Sequence, residues 1–184
     1  MSNITKRAMA QSLKKILVVK ELDKITITDI TNDCGINRQT FYYHFKDIYD
    51  LLEWIFANEV VEKIEKETTI ETWQDNFKYV LDYMLKNKKF IIKTYNSFSR
   101  KTLLDFLFNQ YNTIFIEIVN DLSKNYNITK ENKIFIANFY KYGFAGIIEN
   151  WIVTEMKESP ESIIKKLDVM ISGNFEEAVR KMSN

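Results

Sequence analysis

The stretch Thr26–Lys46, reading TITDITNDCGINRQTFYYHFK, carries two sets of helix punctuation so close together that few folds accommodate it. Thr26 can cap a first helix, its hydroxyl accepting from the unpaired N–H groups of the opening turn. Ile27 and Ile30 then fall on one face, with Cys34 seven positions after Ile27. Gly35 is the residue best suited to end that helix in the left-handed conformation. Asn37 is a second capping residue, opening Arg38-Gln39-Thr40-Phe41-Tyr42-Tyr43-His44-Phe45. Two helices joined by a turn of about three or four residues containing glycine form a helix-turn-helix, whose second helix can lie in the DNA major groove.

The second helix divides its residue types sharply. Phe41 and Phe45, four apart, share a face and suit a core. Arg38, Gln39, Thr40, Tyr42, Tyr43 and His44 occupy the rest. Arginine can read guanine, glutamine adenine, and threonine a thymine methyl, while hydroxyl and imidazole groups can hold phosphates. An amphipathic helix that is polar merely because it is exposed fits much of this pattern. The aromatic pair Tyr42-Tyr43 outside the core stripe weakens that reading, and the residues alone leave both open.

The run ITDI, then CGINRQTFYYHFKD, then LL resembles the N-terminal domain of the TetR family of bacterial transcriptional regulators over about residues 5 to 56. Thr40, Tyr42 and Tyr43 follow the turn glycine at the family's spacing. The resemblance implies DNA binding through Arg38, Gln39, Thr40, Tyr42, Tyr43, His44 and Lys46, with Thr28 of the preceding helix as a further candidate. It implies an all-α fold of about nine helices: a three-helix DNA-binding domain with a helix-turn-helix over residues 1–48, and a larger helical effector-binding and dimerisation domain over 49–184. One departure matters. Many members carry lysine where this chain has Ile48, so a phosphate there would rely on Lys46 and on the N–H groups of the next helix. Within the family, RQTFYYHF, LLEWIF and the later FYKYGFAGIIENWI are similar to regulators near the activator of dihydroxyacetone kinase operons. That likeness implies that a partner protein, not a drug-like molecule, controls some members.

Breakers are scarce elsewhere. One proline and four glycines in 184 residues, against 46% apolar residues, argue for helices throughout. Net charge is only +1, but Lys6, Arg7, Lys14, Lys15 and Lys20 meet no acid in the first twenty residues, the expected footprint beside a DNA-reading helix. A single cysteine excludes an internal disulfide, and a single histidine excludes a zinc site of the usual Cys/His kind. No metal, cofactor or membrane is expected as a partner. No apolar run approaches the roughly 18 residues of a spanning helix, and no signal peptide is seen, so a cytoplasmic address is expected.

In order, the patterns predict helices over 5–21 (Ala8, Leu13, Ile16 and Leu17 inward, with Val18 or Ala10), 47–68, 72–87, 90–95, 100–125, 130–158 and 160–182. Asp47, Ser99, Thr129 and Ser159 serve as caps, Pro160 at the first helical position. The inner face of the fourth would carry Leu51, Leu52, Ile55, Phe56, Val60 and Ile64. Two features of the back half bear on function. Gly143 and Gly146 lie inside a helix rich in large apolar groups, each costing about 1 kcal/mol against alanine. Close approach of another helix would offset that. With Phe144, Ile147 and Trp151, and with Ile164, Leu167 and Ile171 of the last helix, they are read as a four-helix homodimer interface, intrachain core being the alternative. Family members resemble this in pairing their last two long helices. The second feature is aromatic density, from which Phe77, Tyr95, Phe106, Tyr111 and Phe139 are taken as candidate lining of an effector cavity.

An enzyme reading has little support. Any Ser/His/Asp or Cys/His constellation would need His44, already placed in the recognition helix, and no phosphate-cradling glycine loop occurs; no catalytic residue is assigned. The expected function is a regulator binding a palindromic operator on double-stranded DNA as a homodimer, controlled by a small-molecule effector or co-regulator protein. The rival is a helical dimeric module that binds a ligand or protein without specific DNA binding.

Overall fold

Caps decide where the helices begin. The computed structural model describes residues 2–60 and 69–183, and no strand occurs among them. The helices are α1 (Ser2–Leu17), α2 (Ile27–Cys34), α3 (Arg38–His44), α4 (Ile48–Glu59), α5 (Trp73–Lys86), α6 (Lys88–Tyr95), α7 (Arg100–Leu122), α8 (Lys130–Val153), α9 (Pro160–Ile171) and α10 (Asn174–Lys181). Thr26, Asn37, Asp47, Thr129 and Ser159 each accept a backbone N–H from three residues on, as capping chemistry requires. The all-α class is as expected. The tenth helix arises because the stretch read as one helix from 160 to 182 breaks at Gly173, whose φ of 76° is left-handed.

Packing divides the chain into two units that interleave in sequence: 1–63 with 87–106, and 64–86 with 107–184. In the first, α1 packs on α2, α4 and α6. Its core holds Met9, Leu13, Leu17, Ile30, Phe41, Leu51, Leu52, Ile55 and Phe56, all essentially without exposure. Here α1 corrects the sequence reading. Met9, Ala10, Ser12 and Leu13 turn inward, whereas Ala8 and Val18 face solvent and Ile16 is half-buried. The inward stripe is centred on Met9, Leu13 and Leu17, four apart; Ala10 and Ser12 widen it, and Ala8 falls well off it. The helix also stops at Leu17, short of 21, because a 3-10 turn at Leu22–Lys24 lets Leu22 and Ile25 drop into the core. On α4, Leu51, Leu52, Ile55, Phe56 and Val60 face inward as read. Ile64 and the expected continuation over 61–68 lie outside the described residues.

The second unit is organised around one aromatic ring. Phe144 on α8 meets Phe115 at 4.8 Å, Phe77 at 4.9 Å, Trp73 at 5.7 Å and Tyr111 at 6.3 Å between centroids, mostly edge to face. That geometry is the favoured one for aromatic pairs. Beside it, α5 packs on α9, and Gln74 donates to the Asp168 carboxylate at 2.7 Å. One expected boundary moves, and one expected cap is not made. α8 ends at Val153, not 158, because Glu155 and Met156 adopt positive φ. The turn buries Met156, returns its N–H to the Trp151 carbonyl at 2.7 Å, and lets the Trp151 indole donate to the Glu158 carbonyl at 2.8 Å. Ser99, read as the cap of α7, does not cap it: its hydroxyl is buried without a partner, while its N–H donates to Ser97 Oγ.

Candidate nucleic-acid interface

The turn between α2 and α3 is built from short-range hydrogen bonds. Thr26 Oγ1 accepts the Asp29 N–H at 3.1 Å, and the Asp29 carboxylate accepts the Thr26 N–H at 2.7 Å, a reciprocal capping box. Lys20 donates to the same carboxylate at 2.6 Å. That bond first, and the Thr26 bonds after it, hold the Asp29 carboxyl down to about 2. Gly35 closes α2 at φ 66°, and Asn37 Oδ1 accepts the Thr40 N–H at 2.8 Å to start α3.

These caps fix which face α3 shows. Phe41 is fully buried and Phe45 nearly so. Arg38, Gln39, Tyr42, Tyr43 and Lys46 are exposed, Thr40 and His44 are half-buried, and Thr28 on α2 is exposed. Tyr43 is 83% exposed and Tyr42 51%, large values for aromatic rings. Thr40 Oγ1 donates to Asn37 Oδ1 at 3.0 Å, so its proton is committed and its methyl and lone pairs remain for a partner. The Tyr43 and His44 rings meet edge to face at 4.9 Å.

The surrounding charge differs from the sequence reading. Lys14 pairs with Glu59, Lys15 with Asp33 and Lys20 with Asp29, while Lys6 sits 5.5 Å from the Phe45 ring and 5.9 Å from that of Trp54. Three of the five stripe cations are thus unopposed along the chain and opposed in space, because α2 and α4 bring their acids to them. The start of α4 is similar: Asp47 accepts the Asp50 N–H and Asp50 accepts the Lys46 N–H, each at 2.9 Å. Two carboxylates therefore stand where a phosphate was expected. Tyr49, 45% exposed in the first turn of α4, adds a phenol that the sequence reading passed over; its place just after a cap was the available signal.

In the second unit the residues read as a dimer face separate into two sets. Phe144, Trp151, Ile164, Leu167 and Ile171 are buried within the chain, whereas Gly143, Gly146 and Ile147 are exposed. The exposed set continues through Phe135, Phe139, Tyr142 and Met170, each at least 60% exposed. Between α8 and the end of α9 lies a groove of about 610 Å³, lined by Phe139, Tyr142, Gly143, Ile147, Leu167 and Met170 among others. A Cβ at Gly143 or Gly146 would meet nothing within 4 Å. The five candidate effector residues are shared between the two units. Phe77 and Tyr111 pack around Phe144, Phe139 faces the groove, and Tyr95 and Phe106 belong to the first unit, Phe106 stacked 5.0 Å from Phe56. Aromatics at helical spacing made core here. The Tyr111 hydroxyl is buried with no hydrogen-bond partner, and burial pushes its pKa up.

Among the described residues no three His, Cys, Asp or Glu side chains gather as metal ligands, and no helix is long and apolar enough to cross a membrane. The sequence model of the TetR-type family described as "Transcriptional regulator C-terminal region" matches residues 71–173, more than half of the chain. The chain belongs to the TetR family of transcriptional regulators. It is accordingly a regulator and not an enzyme. It is 27% identical over 154 residues to the HTH-type dhaKLM operon transcriptional activator DhaS of Lactococcus lactis subsp. lactis (strain IL1403), a match covering 83% of this chain and 81% of the relative. Among solved structures, the dihydroxyacetone kinase operon activator DhaS superposes with a TM-score of 0.73 at 23% identity, covering 98% of this chain and 99% of that one. Native NalD, the secondary repressor of the MexAB-OprM multidrug efflux pump in Pseudomonas aeruginosa, superposes with a TM-score of 0.52 at 14% identity, over 93% and 96%. At these identities the superpositions speak for the fold.

Proposed function

We infer that this regulator binds a palindromic operator as a homodimer, with α3 of each copy in the major groove, and that an effector or partner protein in residues 49–184 controls its DNA affinity or activity. One observation carries the reading: α3 is a helix capped by Asn37, with Phe41 and Phe45 sealed inside and Arg38, Gln39, Tyr42 and Tyr43 held outside. Exposing two phenols is costly unless they meet a partner, and their neighbours are groups that read bases. Thr28, Thr40, His44 and Lys46 complete the proposed DNA face, and residues 1–48 the DNA-binding domain. The dimer face is the groove beside Gly143, Gly146 and Ile147, over the buried support of Phe144, Trp151, Ile164, Leu167 and Ile171. Two glycines that leave open space in their own chain favour a second helix crossing there.

The paired lysines and the carboxylates at the start of α4 favour a second reading, a dimeric module without specific DNA binding. One experiment separates them. The full-length chain is offered a randomised duplex pool, and the recovered sequences are titrated against salt. The first reading expects inverted repeats with half-sites about 34–36 Å apart or a multiple, and a log–log salt slope of about 0.9 per neutralised phosphate. No enrichment, or binding flat in salt, favours the second.

A further inference from the structure

Arg38 and Tyr42 stand one helical turn apart on the exposed side of α3, a spacing at which side chains are neighbours. The Arg38 guanidinium donates to the Tyr42 hydroxyl at 3.3 Å, and its carbon lies 5.9 Å from the Tyr42 ring centroid. The ring is braced in turn. It meets Phe41 edge-on at 5.9 Å and 87°, and Phe41 is fully buried. A line of contacts therefore runs from the core to the charged end of the arginine. Arg38 makes no ion pair among the described residues, whereas Lys14, Lys15 and Lys20 each hold a carboxylate. Its charge is restrained by a neutral hydroxyl and left unneutralised. An arginine held in place before docking has less rotamer freedom left to lose. Of its five N–H donors one is engaged, and a guanine edge needs two.

We propose that Tyr42 is the positioning residue for Arg38, so that a guanine preference at one base pair of each half-site depends on the Tyr42 hydroxyl. The proposal rests on the DNA-binding reading above. It makes the phenol act through the arginine, not as a phosphate contact of its own.

The test uses full-length wild type, Tyr42→Phe, Arg38→Ala and the double variant. Each is titrated against the duplex that the wild type selects from a randomised pool, and against that duplex with each half-site base pair exchanged in turn. Arg38→Ala is expected to remove the preference at one base pair. Tyr42→Phe keeps the ring on Phe41, so its melting temperature should match wild type, and it should weaken the preference at that same base pair about fivefold, the equivalent of one ordinary hydrogen bond. In the double variant Tyr42→Phe should add nothing to Arg38→Ala. Additive losses, an unchanged preference, or a loss equal on every duplex would each overturn the proposal. If the wild type selects no duplex, the DNA-binding reading falls with it, and the selection step alone reveals that.

Discussion

The α2–α3 turn and the α8–α9 groove are organised by different ranges of interaction. In the turn, Thr26, Asp29, Gly35, Asn37 and Thr40 settle the geometry through bonds spanning three residues. In the groove region, the outcome depends on Phe144 finding four rings from α5 and α7, twenty or more residues away in sequence. A locally specified helix shows its outward face in the sequence. A helix specified at long range shows only that it is apolar.

The contrast can be broken most directly at Phe144. Phe144→Ala is expected to cost about 3–5 kcal/mol, the range for truncating a buried aromatic ring, read by urea denaturation of the full chain. A loss below about 1 kcal/mol would mean that the second unit is not built around that ring. Next, Asn37→Ala removes a cap and should cost about 1 kcal/mol, with a larger loss of operator affinity as the start of α3 frays. Gly146→Ala should act in opposite directions on fold and assembly. The helix gains up to about 1 kcal/mol at concentrations where the chain is monomeric, while light scattering shows the monomer fraction rising. A dimer unaffected by the added methyl would place the crossing elsewhere.

Two smaller effects sharpen the comparison. Tyr111→Phe removes a hydroxyl that has no partner, so thermal stability should stay level or rise by a few tenths of a kcal/mol; a fall of several degrees would reveal a partner in solution. Asp29 has a folded pKa near 2, below its ordinary value of 3.8. Its contribution is therefore present above about pH 4 and lost as pH falls through about 2. Asp29→Asn should flatten that acid limb while leaving neutral-pH cooperativity unchanged, as followed by circular dichroism.

The range of interaction also explains what the sequence could disclose. Thr26, Gly35, Asn37, Asp47 and Ser159 with Pro160 were legible as boundaries because a cap acts within one turn. Gly173 was not read as a break, since glycine is tolerated inside helices and only the left-handed turn distinguishes it. The end of α8 was hidden for a related reason: Glu155 and Met156 carry no turn signature, and burial of Met156 decides their backbone. On the proposed DNA face, Arg38, Gln39, Tyr42, Tyr43 and Lys46 are readable as outward groups, but the pairing of Lys14, Lys15 and Lys20 is not. Their carboxylates come from other helices. Which aromatic residues border a cavity is not legible either, because aromatic spacing cannot tell a ring that fills space from one that borders it.

In the proposed DNA-binding reading, the three carboxylate-held lysines of the first unit bear on the search along a genome. A phosphate arriving there must displace a carboxylate already in place, so the exchange gains little on arbitrary sequence. Adhesion to bulk DNA would be weak and brief, and cations that hold no carboxylate among the described residues, Arg38 among them, would weigh more in where the protein lingers.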